Sequence, residues 1–130
     1  MIVVDASAMV EALIGRDADA EFLEALAGEL DAPHLLDIEV MSALRGLALG
    51  GKLDPAAADQ ARRDHFAFTI TRHEVAPLAE RVWHLRHQYT AYDACYLALA
   101  EALAAPLYTC DARLVSGGHD TQVRVVSRTH

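Results

Sequence analysis

Four acidic residues of this 130-residue chain are spaced so that a fold could bring them together: Asp5, Glu39, Asp93 and Asp111. Asp5 ends the apolar run Ile2-Val3-Val4, and Asp111 ends Leu107-Tyr108-Thr109-Cys110. Glu39 and Asp93 each stand near the start of a helical pattern. Carboxylates gathered in one place repel one another, which raises the pKa of some of them unless a cation is bound. An all-oxygen set suits a hard divalent ion, Mg²⁺ or Mn²⁺. Taken singly, each acid has a plainer reading. Asp5 and Asp111 are candidate helix caps, Asp93 forms a capping-box-like pair with Thr90, and Glu39 favours a helix N-terminus. Both readings stay open for any one acid. The grouping of all four favours the metal site.

What must position them is an alternation of short apolar strands with helices. Residues 2–4 read as a buried strand, and residues 8–14 as a helix with Ser7 as its N-cap. Residues 19–30 form a second helix with Phe22, Leu23 and Leu26 on its apolar face, and residues 31–34 are briefly extended. From 36 to 49, Ile38, Met41, Leu44, Leu47 and Ala48 recur at helical period until Gly50-Gly51 stops them. Pro55 opens a helix to about residue 68. The β-branched stretch 69–75 predicts an edge strand. Pro77 opens a helix to about 88, Thr90 caps another over 91–104, and Pro106 ends it. Residues 107–110 and 123–126 are the last strands. Such alternation implies a parallel sheet covered on both faces, an α/β/α sandwich, in one domain spanning 1–130. Ligands of such sheets bind at the carboxyl edge of the strands, where Asp5 and Asp111 lie. Glu39 and Asp93 are expected in the first turns of helices that start at that edge.

Composition narrows the class. Net charge is −8, from 19 acidic against 11 basic residues, so nucleic acid cannot be held by a global basic field. Any such role rests on a local site. Two cysteines, Cys95 and Cys110, are too few for a disulfide scaffold, which points to a reducing cytosol. The N-terminus lacks the basic region of a secretory signal, and no apolar run reaches ~18 residues without a charge or proline. A cytoplasmic protein is the expectation, with no membrane partner.

Other residues with chemical potential have ordinary readings beside them. His84 and His87 share a helix face but lack a third metal ligand. Arg45, Arg72, Arg86 and above all Arg113 are candidates for holding phosphates, against a surface ion-pair role. Cys95 and Cys110 read as small buried hydrophobes. Tyr92, Tyr96 and Trp83 suit base stacking, although Tyr96 fits a core position better. Neither Gly50-Gly51 nor Gly117-Gly118 follows the strand-to-helix pattern of a phosphate loop.

Four segments together resemble the acidic motifs of PIN-domain nucleases. They are Val-Val-Asp5-Ala-Ser7-Ala, Ile38-Glu39-Val-Met-Ser-Ala-Leu-Arg45, Tyr92-Asp93-Ala-Cys-Tyr-Leu-Ala-Leu-Ala and Leu107-Tyr-Thr109-Cys-Asp111-Ala-Arg113-Leu. The likeness runs over essentially the whole chain in the right order, and is greatest to the small bacterial VapC toxins. It implies a metal-dependent endoribonuclease, the toxin of a toxin–antitoxin pair. Asp5, Glu39, Asp93 and Asp111 would hold one or two Mg²⁺ or Mn²⁺ ions, and metal-activated water would hydrolyse RNA phosphodiester bonds. Ser7 and Thr109 match hydroxyl positions that orient the acids or the water. The resemblance also implies a small cognate antitoxin, for which the helices around residues 8–30 with Phe22 offer an apolar groove, and a homodimer.

Two further classes stay in view. A Mg²⁺-dependent phosphotransfer domain also places acids at strand ends. Its haloacid-dehalogenase-like form expects an aspartate at Ser7, and both that form and the receiver-like form need a lysine near the site, where Lys52 is the single lysine and follows a helix. A non-catalytic PIN-like scaffold would not need all four acids.

Overall fold

The computed structural model describes residues 1–130. Five short strands form one parallel sheet in the order β3-β2-β1-β4-β5. They are β1 (Ile2–Val4), β2 (Leu30–Pro33), β3 (Ile70–His73), β4 (Leu107–Thr109) and β5 (Val123–Val125). Six helices surround it: α1 (Ala6–Ile14), α2 (Ala20–Leu26), α3 (Leu35–Leu49), α4 (Pro55–Ala67), α5 (Ala79–His84) and α6 (Ala91–Leu103). Short 3₁₀ turns at Ala76–Leu78 and Ala112–Val115 complete the path. This is the α/β sandwich that the alternation of strands and helices predicts, with residues 69–75 supplying an edge strand as expected.

β1 is central because it is apolar throughout; Ile2, Val3 and Val4 are all buried, and it pairs with β2 on one side and β4 on the other. The chain winds outward from β1 through β2 to β3, then returns to lay β4 and β5 on the opposite flank. The direction of winding therefore reverses between β1 and β4, and a crevice opens there at the carboxyl ends of the strands. α6 feeds β4 and is buried at every position from 94 to 100, so it fills the middle of the core instead of showing a polar face. Twenty-seven buried residues form one apolar cluster that includes residues from all six helices except α5 and from β1 to β4.

Several local boundaries differ from the sequence reading, each for a physical reason. α1 starts at Ala6, and its N-cap is Asp5, whose carboxylate accepts from the Ala8 amide; Ser7 lies inside the first turn. α2 ends at Leu26, because Leu30 is taken into the sheet opposite Ile2 and Ile70. The extended piece after it is β2, which begins one residue earlier at Leu30 and is an interior strand with all four residues buried. The buried stripe of α3 is Leu36, Val40 and Leu44, while Ile38 is 63% exposed. The helix expected from Pro77 to 88 is a 3₁₀ turn followed by the six-residue α5. Leu23 is exposed although it was expected on the apolar face of α2.

Candidate active site

The β1–β4 crevice is where the four acids meet. Asp5 directly follows β1, Asp111 lies two residues past β4, and Asp93 sits in the first turn of α6. Glu39 is in the second turn of α3, not the first, because α3 begins at Leu35 straight after β2. All four line one cavity of about 360 Å³, with Ser7, Tyr96, Cys110, Arg113 and Arg128 among its other walls.

Asp5 is fixed from both sides. Its Oδ1 accepts from Ser7 Oγ at 2.7 Å and from the Ala8 amide at 3.0 Å, and its Oδ2 accepts from the Thr109 hydroxyl. Ser7 Oγ also accepts from the Cys110 amide at 2.8 Å, and Thr109 Oγ1 accepts from the Asp111 amide at 3.0 Å. The two hydroxyls thus tie the end of β1 to the turn after β4. On the other wall, Tyr96 donates to Glu39 Oε1 at 2.6 Å. Thr90 caps α6 by accepting from the Asp93 amide at 3.2 Å, and the Asp93 carboxylate lines the cavity.

The electrostatics are those of a crowded anionic site. Burial pushes the Asp5 carboxyl above its ordinary value, against the hydrogen bonds from Thr109, Ala8 and Ser7. Burial also raises Glu39, with the Asp5 and Asp93 charges adding to the rise and the Tyr96 bond opposing it. Asp93 is raised by burial and then by the charge of Asp111. Asp111 moves the other way, because the Arg113 side chain pairs with it and holds it below the usual carboxylate range. That pair is open to water, with Arg113 83% exposed, so it contributes little and Arg113 can swing away.

The donor set would suit a hard divalent cation: all four candidate donors are carboxylates, and three of the four carry raised pKa values that a cation would reverse. No three acidic, histidine or cysteine side chains converge closely enough to form a finished cage. Mg²⁺ does not need one, since it keeps several waters and takes only one or two carboxylates.

The remaining sequence candidates are scattered. Arg72 pairs with Asp37 at 2.7 Å, Arg86 lies 4.8 Å over the Trp83 ring, and Arg45 is exposed outside the cavity. Cys95 is buried, and Cys110 lines the cavity only by its position in the turn. Trp83 and Tyr92 are exposed without lining it. Phe22 is 1% exposed and stacks on Tyr108, and both form the floor of a cleft that Asp19, Glu21 and β5 complete. A second open surface lies between α1 and α3, a cavity of about 680 Å³ whose walls include Val10, Ala43 and Leu47. Two wall residues were not singled out for the site. Tyr96 carried a usable signal, since it stands three residues after Asp93 on the same helix face. Arg128 carried none.

The PIN domain family model matches residues 2–118, which takes in all four acids. This chain belongs to the PIN-domain family. Its relatives include a VapC ribonuclease of Mycobacterium bovis, 44% identical over 119 residues and covering 91% of each chain. Among solved structures, PAE2754 from Pyrobaculum aerophilum is 26% identical, with a TM-score of 0.73 over 94% of this chain and 81% of that one. VapBC2 from Rickettsia felis, solved bound to a DNA fragment from its promoter, is alike in fold at a TM-score of 0.70, with 13% identity over 98% of this chain and 100% of that one. Within this PIN domain the carboxylate cavity sits at the β1–β4 reversal. Residues 119–130, Arg128 among them, lie beyond the matched span.

Proposed function

We propose that this PIN domain is the toxin of a toxin–antitoxin pair, a Mg²⁺- or Mn²⁺-dependent endoribonuclease that hydrolyses RNA phosphodiester bonds. The observation that carries this reading is the lining of one cavity by Asp5, Glu39, Asp93 and Asp111, in a chain 44% identical to a VapC ribonuclease. Asp5, Glu39, Asp93 and Asp111 would hold one or two such ions, in part through metal-bound water. Bound there, a divalent cation neutralises the carboxylates, polarises the phosphoryl oxygen and makes water a strong nucleophile at neutral pH.

The chain's own contribution is positional. Ser7 and Thr109 fix both oxygens of Asp5, so this carboxylate enters the reaction already oriented. Tyr96 does the same for Glu39. Burial and the Glu39 bond push the Tyr96 phenol far above its ordinary value, so it remains a hydrogen-bond donor. Arg113 pairs with Asp111 at the exposed edge of the cavity; with Asp111 engaged by a cation, its guanidinium would be available to an RNA phosphate. No Ser, Cys or His nucleophile is needed.

A small cognate antitoxin and a second copy of the chain belong to the same reading, as does a cytoplasmic location over one domain at 1–130. No helix is long and apolar enough to cross a membrane.

Incubation with total cellular RNA in Mg²⁺ or Mn²⁺, followed by sequencing of new 5′ ends, tests the activity. Discrete cuts that vanish in chelator and in Asp5→Asn are expected. Intact RNA under all conditions would remove the nuclease reading. Expression without the gene beside it should arrest growth of the host. Copurification and light scattering then report the antitoxin and the dimer.

A further inference from the structure

One fully buried acid plays no part in the carboxylate site. Glu11, on the inner face of α1, is 0% exposed. A carboxylate is taken from water only where hydrogen bonds replace the water. Here those bonds all go to the tail that follows β5. Glu11 Oε1 accepts from the Thr129 amide at 2.7 Å and faces His130 Nδ1 at 2.9 Å, and Oε2 accepts from the Thr129 hydroxyl. Burial raises the Glu11 carboxyl, but Thr129 and His130 outweigh it and hold the group below its ordinary value, as an anion. The Asp17 amide donates to Thr129 Oγ1 at 3.1 Å and closes the far side of the latch. Gly15 leaves the room for it: a Cβ there would lie 2.1 Å from Glu11 Oε2.

On the near side, Val126 is buried and its amide donates to the Thr109 carbonyl at 2.7 Å, beside the site. The tail is thus pinned on both sides of Arg128. That residue lines the carboxylate cavity and also the neighbouring cavity between α1 and α3. Arg113, the other arginine of the cavity, is paired with Asp111, whereas Arg128 is in no ion pair. An exposed guanidinium held at the edge of a net-negative site, and not consumed by it, is suited to a phosphate oxygen.

We propose that Arg128 is a phosphate-binding residue for the RNA strand, and that Glu11 is a positioning residue that holds the tail so that Arg128 faces the site. The inference rests on the endoribonuclease reading and names a contact that this chain makes beyond the family-matched span.

The test measures affinity for a fluorescent single-stranded RNA by anisotropy in Mg²⁺, with Asp93→Asn present throughout to spare the RNA. Arg128→Ala should weaken binding about tenfold, the weight of one charge-assisted contact. It should also lower the slope of log K against log salt by about 0.7. Arg128→Lys should recover most of the slope. Arg124→Ala removes the same charge from an exposed position on β5 and should change neither. Glu11→Gln should weaken binding in the same direction, and combined with Arg128→Ala it should add nothing further. Thr129→Val removes one of the bonds between the tail and Glu11, serves where Glu11→Gln fails to fold, and should weaken binding in the same direction. RNA binding and salt slope unchanged by Arg128→Ala would overturn the proposal while the parent still binds and the native site still cleaves. Multiplying effects of Glu11→Gln and Arg128→Ala would remove the positioning role. A parent that neither binds nor cleaves RNA would overturn the nuclease reading and this contact with it.

Discussion

The phenol of Tyr96 on α6 donates to Glu39 on α3 at 2.6 Å, joining two helices in the wall of the carboxylate cavity. Tyr96 is otherwise a core residue, 2% exposed. Its ring belongs to packing and its hydroxyl to the site. Tyr96→Phe keeps the ring and removes the bond, so it separates the two roles. The loss in stability should be about 1 kcal/mol by thermal melting. RNA cleavage should slow about tenfold, equivalent to ~1.4 kcal/mol of lost positioning. Wild-type cleavage by the variant would mean that Glu39 needs no orienting partner.

Asp93→Asn distinguishes a ligand from a helix residue. The backbone amide of residue 93 still donates to Thr90, so the cap survives and circular dichroism should be unchanged. Cleavage in Mg²⁺ should fall by a hundredfold or more, about 2.7 kcal/mol or above. Asp59→Asn is the charge control. Asp59 lies on α4, pairs with Arg62 and Arg63 at the surface, and should be nearly silent in single-turnover cleavage. Equal small losses in both would leave Asp93 a helix-start residue.

Metal and pH are linked through the raised carboxyls. Asp5, Glu39 and Asp93 hold protons more tightly folded than unfolded, from ordinary values of 3.8, 4.5 and 3.8. Their stabilising contribution is complete below those values and is lost as pH rises through the folded ones, so without metal they weaken the fold at neutral pH. A cation restores that loss, and protons compete with it. At a hundredfold excess over Kd, Mn²⁺ should add about 2.7 kcal/mol. The rise in Tm should be larger at pH 7.5 than at pH 5, and smaller in Asp5→Asn. Melting curves indifferent to Mn²⁺ at both pH values would contradict a metal site on these residues.

Ala104 ends α6 in the left-handed region, with φ at 51° and no glycine to relieve it. It precedes β4, at the opposite end of that strand from the site. Ala104→Gly should therefore stabilise the chain by about 1 kcal/mol, which calorimetry reads as a higher Tm. Cleavage should not change. A lower Tm would show that the entropy glycine adds to the unfolded chain outweighs the relieved strain.

Much of this protein is local and was legible in the residues. The runs Ile2-Val3-Val4 and Leu107-Tyr108-Thr109-Cys110, each ending in an aspartate, announce strands with a carboxylate at the edge, and Thr90 before Asp93 announces a helix start. Period and capping depend on near neighbours, so Asp5, Glu39, Asp93 and Asp111 were readable as a set, as was the parallel sheet between helices. What depended on distant partners was not. Leu30 belongs to β2 and not to α2 because it pairs with Ile2 and Ile70. Asp5 and not Ser7 caps α1, because Ser7 turns to Asp5 and to the Cys110 amide. Glu11 looked like one more acid on a helix; it is buried because Thr129, 118 residues away in the chain, supplies its hydrogen bonds. Arg128 reaches the site for the same reason. A contact between such distant residues leaves no period, cap or turn signal in either segment, so only the folded chain could assign it.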